Sequence, residues 1–200
     1  MIEVKVDDAA LQKISKEIGD LPHRAPTILK NAVNETGKKA MKRIRKEIDR
    51  RYDYDDSKIQ LMGRLKRKSA SYANPQTVIT GKSPMNPIGD FNVKPFQVLY
   101  GKSRPNIIRG HVLQSSAMKE LRDGNRKAFV VRFRSGHEGV VERNPNKHML
   151  DNPKKEGLRA LLSPSVAHML GKGYEAEEDD IALDLQKNIR KYIDRFMKGR

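Results

Sequence analysis

The sequence predicts an α+β fold: a small antiparallel sheet packed with a long basic amphipathic helix and a C-terminal amphipathic helix. Three observations point there. Between Thr27 and Tyr52, apolar residues recur at three- and four-residue steps. Between Ala128 and Arg143, two runs rich in valine flank a glycine-containing turn. From about Glu177 to Met197 the helical period returns, with an acidic beginning and a basic end.

Taken in order, Ile2, Val4 and Val6 alternate and predict a short strand with one buried face. Asp7 or Asp8 can cap a following helix carrying Leu11, Ile14 and Ile18, which ends near Gly19 and Asp20. In the long helix the stripe is Leu29, Val33, Ala40, Ile44, Ile48 and Tyr52, with Thr36 or Gly37 closing the gap. Its other faces carry Lys30, Lys38, Lys39, Lys42, Arg43, Arg45, Lys46, Arg50 and Arg51 against only Glu35, Glu47 and Asp49. Residues 52 to 57 read as a break with capping side chains, and Ile59, Leu61, Met62 and Leu65 as a short helix beside Arg64, Lys66, Arg67 and Lys68.

Val78 and Ile79 predict a strand that runs into a Gly/Pro/Asn loop, and Phe91, Val93 and Phe96 alternate towards another. The best strand is Ala128 to Phe133, preceded by the turn Asp123, Gly124, Asn125 and followed by a Ser135 to Gly139 turn; Val140 to Arg143 pairs back on it. Ser163 to Val166 predicts a helix start with Pro in its first turn, running to Met169 and Leu170 and stopping at Gly171 and Gly173. The last helix presents Ile181, Leu185, Ile189, Tyr192, Ile193 and Phe196 on one face. A single domain over 1–200 is expected, with exposed loops at 81–90 and 144–157, the second because it is polar and contains Pro145 and Pro153.

Composition narrows the function classes. With 41 Lys and Arg against 25 Asp and Glu, the formal charge is +16, which attracts acidic partners over a long range. The absence of cysteine removes disulfides and thiolate chemistry. The alternating start is unlike a signal peptide, and no window approaches the roughly 18 apolar residues of a membrane span. A soluble chain made in the cytosol, with no membrane association, is therefore expected.

The search for catalytic chemistry predicts no enzyme, no cofactor and no metal. Gly-Lys-Ser occurs at 81–83 and 101–103, but the phosphate-binding loop needs a glycine five residues earlier, where Gln76 and Phe96 stand. His23, His111, His137, His148 and His168 lack metal-ligand spacing. His137 and Glu138 are neighbours in a tight turn, whose side chains diverge. The acids Glu175, Glu177, Glu178, Asp179 and Asp180 are accounted for by the dipole of the helix they open. What stands out is the basic surface: Lys38, Lys39, Lys42, Arg43, Arg45, Lys46, Arg50, Arg51, Arg64, Lys66, Arg67 and Lys68 are the residues expected to face an acidic partner or DNA. Tyr52, Tyr54 and Tyr72 make no base-stacking module, so any DNA contact is expected to be independent of sequence.

The order of segments adds a family. A strand and helix, a long basic helix, Ala128-Phe129-Val130-Val131, Gly136-His137-Glu138-Gly139-Val140-Val141-Glu142-Arg143, Leu161-Leu162-Ser163-Pro164-Ser165-Val166 and a terminal amphipathic helix together resemble the prophage minor tail protein Z family. The resemblance spans nearly the whole chain. It implies a virion structural protein, a minor tail or tail-completion subunit at the head-tail junction of a long-tailed bacteriophage. Such a subunit would assemble into a homo-oligomeric ring with portal, connector or tail-terminator proteins. Its location would be the tail or neck of the virion, with assembly in the host cytoplasm and non-specific contact with genomic DNA. The alternative is an independent, sequence-indifferent DNA-binding protein that uses the basic helix.

Overall fold

The computed structural model describes residues 24–150 and 152–198, apart from the side chain of Asp123, together with the backbone of 2–5. In chain order the elements are strand β1 (Ile2–Lys5), helix α1 (Ala25–Arg51), two one-turn helices α2 (Asp56–Ile59) and α3 (Leu61–Arg64), then strands β2 (Leu65–Lys68), β3 (Gln76–Gly81), β4 (Asn86–Pro87) and β5 (Asn92–Lys94). Next come β6 (Arg109–His111), β7 (Lys119–Glu120), β8 (Arg122–Asp123), β9 (Arg126–Lys127), β10 (Phe129–Arg132), β11 (Glu138–Met149), β12 (Asn152–Ala160) and β13 (Leu162–Ser163), and finally helix α4 (Val166–Lys198). The α+β class stands. Instead of one sheet, the strands among the described residues form five small antiparallel sheets. The helix expected over residues 8–19 lies outside the described residues.

Where the sequence reading expects one domain, the fold divides into two compact units. The first contains α1 as far as Ile48, α3 from Met62 onward, β2 and β3, and α4; the second is built from 49–61 and 83–165.

In the first unit, α1 buries the stripe read from its spacing: Leu29, Val33, Thr36, Gly37, Ala40, Ile44 and Ile48 are all enclosed. Pro26 sits in its first turn, where a missing N–H costs nothing, and Arg50 and Arg51 close its last turn, where cations suit the helix dipole. Ile28, Leu29 and Ala32 pack with Ile189, Leu185, Tyr192, Ile193 and Phe196 of α4. Strand β3 is the centre of a ladder with β1 and β2 on either side, Ile2 opposite Ile79 and Arg67 opposite Ile79.

The helix break expected at Gly171 and Gly173 does not occur, and α4 is continuous through both. Gly173 is where α4 meets α1: a Cβ built there would lie 3.0 Å from Cγ2 of Ile44, 3.1 Å from the Ile44 carbonyl oxygen and 3.2 Å from Ile48. Glycine costs a helix about 1 kcal/mol relative to alanine, and here the close packing of two helix backbones offsets it. The segment read as a helix over Ile59 to Leu65 is also corrected. Gln60 adopts a left-handed φ of 52°, which ends α2 after one turn, and Leu65 opens strand β2.

In the second unit, β10 and β11 pair as expected, Phe129 opposite Val141 and Arg132 opposite Glu138. Gly124, with φ of 57°, opens the two-residue turn between β8 and β9. Val93, Ile108, Ala128, Val130 and Val140 form the core, with Ile88, Phe96 and Leu161 packed against it. The expected loop at 81–90 includes β4, which pairs with β13 through Pro87 and Leu162. The expected loop at 144–157 is exposed over much of its length but is regular: it is the outer part of a β11–β12 hairpin. Its prolines flank the ladder instead of ending it. Pro145 falls in a bulge between the pairs Asn144–Gly157 and His148–Glu156, and Pro153 follows the pair Met149–Asn152 at the turn.

Candidate functional site

The twelve cations singled out in the sequence separate into three groups once folded. Lys38, Lys42 and Lys46 are exposed on α1 at four-residue steps, so they form one row along the helix; among the described residues none has an acidic partner. Lys66 and Lys68 are likewise exposed, on alternate positions of β2. A second group is engaged. Arg43 donates from Nε to Asp184 at 3.1 Å and from Nη1 to Asp180 at 3.0 Å and Glu177 at 3.4 Å. Lys39 lies 3.6 Å from Glu35 and donates to Oδ1 of the buried Asn188 at 3.4 Å. Arg45, Arg50 and Arg64 also take part in polar or ring interactions. The third group is structural: Arg67 donates to Asn34 and Thr77, both at 3.4 Å, and Arg51 is half-buried beside the Tyr52 ring, 6.0 Å away.

The acidic cluster acquires a different cause. Because α4 starts at Val166, residues 175–180 sit in its interior and not at its N-terminus, so the dipole does not explain them. Glu177, Asp180 and Asp184 recur at helical steps and converge on Arg43, whose guanidinium is held charged above its ordinary value, chiefly by the field of Asp184. The basic helix is thus neutralised where it faces α4 and open where its lysine row faces outward.

Glu35 is a second junction. It accepts from Lys191 Nζ at 2.7 and 2.8 Å and from the Tyr192 hydroxyl at 3.0 Å. The Lys191 hydrogen bond is the largest influence on its carboxyl, and the net shift is below the ordinary glutamate range despite partial burial. A lowered carboxylate pKa stabilises the fold at pH values above the unfolded-state value, and this is lost as pH falls through the folded-state value. Thermal melts from pH 7 down to pH 3 should therefore show a loss of Tm in the acid range that is shallower in Glu35→Gln; identical pH profiles would remove Glu35 from this role.

In the second unit, His111 bridges two acceptors, with Nδ1 2.6 Å from the Ser116 carbonyl oxygen and Nε2 2.7 Å from Asp53 Oδ2. Asn92 donates to the same Asp53 oxygen at 2.8 Å. That hydrogen bond is the main reason the Asp53 carboxyl is held below the ordinary aspartate range. With both ring nitrogens committed, this cluster ties β5 and β6 to the chain after α1 and offers no free base. His137 and Glu138 diverge, as turn neighbours should: His137 stacks on Phe133 and Glu138 pairs with Arg132. Of the two Gly-Lys-Ser segments, the first leaves the end of β3 and the second is a single 3-10 turn, with Gly101 at φ 58°.

Among the described residues no three His, Asp or Glu side chains gather to hold a metal ion, and no helix is long and apolar enough to cross a membrane. No family model, curated protein or solved structure matches this sequence. The functional reading therefore draws on the order of segments in the sequence and on the chain's surface. Its main feature beyond the lysine row was missed in the sequence: the projecting β11–β12 hairpin. The available signal was the polar run between two prolines, which pairs with itself instead of looping.

Proposed function

We propose that this chain is a virion structural protein, a minor tail or tail-completion subunit at the head-tail junction. It acts by assembling into a ring with portal, connector or tail-terminator proteins, without catalysis. The observation that carries this reading is the order of segments, the Ala128 to Val131 strand, the glycine turn before Val140-Val141-Glu142-Arg143, and the Ser163-Pro164-Ser165-Val166 helix start, an order that resembles the prophage minor tail protein Z family. Surface chemistry is in keeping with it. In the second unit Met85, Tyr100, Ile107 and Leu162 are exposed, and neighbouring subunits would bury such side chains on assembly.

Deletion of the gene should yield heads and tails that do not join, and a labelled copy should appear at the neck in electron micrographs. Normal infectious particles from the deletion strain would refute the proposal. A second reading, a free-standing sequence-indifferent DNA-binding protein, draws on the row Lys38, Lys42, Lys46. It requires DNA affinity that falls steeply with salt, and a flat response would remove it.

A further inference from the structure

We propose that the hairpin ribbon formed by residues 142–150 and 152–159 docks on duplex nucleic acid, with its lysines on phosphates and Leu150 leading into the groove. Strand β10 pairs with β11 only as far as Val141, opposite Phe129. Beyond that point β11 and β12 pair with each other alone, from Glu142–Arg159 to Met149–Asn152. The three-stranded sheet therefore continues as a two-stranded ribbon, roughly 20 Å long at about 3.3 Å per residue. A ribbon of this kind is one of the two elements that the major groove, about 12 Å wide, admits.

Its foot is anchored. The fully buried Glu142 accepts from Arg159 Nε at 2.6 Å, and Arg143 donates to the Glu156 carbonyl oxygen at 2.8 Å while lying over the Phe129 ring. Its outer part carries three lysines against one described acid: Lys147, Lys154 and Lys155 are exposed, as is Glu156, and among the described residues the three lysines have no acidic partner. Glycine at 157 lets the bulge close over the partner strand, because a Cβ there would lie 3.1 Å from both Cβ and the carbonyl oxygen of Lys147. Leu150, at the turn, is completely exposed. An apolar side chain at the turn suits contact with the thymine methyl groups that line the major groove. Nucleic acid is favoured over an acidic protein because the surplus of +16 is carried by the whole chain. A polyanion continues to attract such a surface beyond the arm, whereas a local acidic patch does not.

The test uses the full chain and a 30-base-pair duplex of arbitrary sequence, with affinity measured by fluorescence anisotropy between 50 and 200 mM salt. The wild type should bind with a steep salt dependence. Lys147→Gln/Lys154→Gln/Lys155→Gln should reduce the slope of log affinity against log salt by about 2.7, corresponding to three phosphates, and weaken low-salt binding about 100-fold. Leu150→Ala should weaken binding about tenfold at unchanged slope. These surface changes should leave the circular dichroism and Tm of the protein unaltered. Absence of duplex binding, an unchanged slope in the triple variant, or equal competition by polyglutamate would each overturn the proposal. So would a result in which Lys38→Gln/Lys42→Gln/Lys46→Gln alone abolishes the salt dependence. None of these outcomes bears on whether deletion of the gene blocks head-tail joining, so the two proposals fail separately.

Discussion

Ile44→Asp is expected to leave the chain unfolded or insoluble. Ile44 is 1% exposed in the middle of the α1 stripe, and its side chain and carbonyl oxygen lie against Gly173 of α4. An aspartate there has neither space to reach solvent nor a cation in the apolar seam, so it is either buried charged or protonated, both at high cost. The combined loss of apolar burial and gain of a desolvated carboxyl is about 5 kcal/mol, comparable with the whole stability of a domain of this size. Lys42→Asp, two residues away on the exposed face, should remain soluble and folded. Circular dichroism and Tm of the two variants decide the matter: a soluble Ile44→Asp with a wild-type Tm would mean that the stripe is not core.

Arg159→Ala is the second large effect. Glu142 is fully enclosed, its Oε1 is bound by the Arg159 guanidinium, and its Oε2 has no hydrogen-bond partner among the described residues. Removing the arginine leaves a buried carboxylate without its cation, which costs about 3 kcal/mol, the lower part of the range for breaking a buried pair because Arg159 itself is half in solvent. Replacing both residues, Glu142→Met/Arg159→Leu, should restore most of that loss, since a well-packed apolar pair is often as stable as an ionic one. Chemical denaturation of the single and double variants provides the comparison. A double variant no more stable than Arg159→Ala would assign the loss to packing and not to the uncompensated charge.

The helices were legible because their cores are written in spacing. The stripe from Leu29 to Ile48 and the face of Ile181, Leu185 and Ile189 depend only on the helical period; the first is buried, and in the second Ile181 and Ile189 are buried and Leu185 half-buried. Two helix boundaries were not legible. Gly171 and Gly173 are ordinary stop signals on local propensity; the nearness of Ile44 across the helix pair accounts for the glycine at 173, whereas a Cβ at Gly171 would meet nothing within 4 Å. The charge run at 64–68 concealed a strand in which Leu65 and Arg67 face inward while Lys66 and Lys68 face out, an alternation too short to be distinguished from a helical turn.

The candidate surface was legible as composition but not as geometry. Spacing placed Lys38, Lys42 and Lys46 on one line, yet nothing local showed that Arg43 would be claimed by three acids of α4. The hairpin was concealed for the same reason. Its pairing is settled by the register of β11 on β12 and by the bulge that accommodates Pro145, neither of which leaves a periodic trace.

The meeting of Ile44 with Gly173 also orders events during synthesis. Residues 83–165, which supply most of the second unit, lie in the chain between the two helices that complete the first. As the polypeptide leaves the ribosome, the second unit has all its residues once Ser165 is clear, while α1 still lacks the partner that covers its seam. The part of the α1 face around Ile44 and Ile48 thus waits for α4, whereas the part around Gly37 meets Thr77 of β3. The opening turns of α4, interrupted by two glycines, gain order by condensing onto a helix already made.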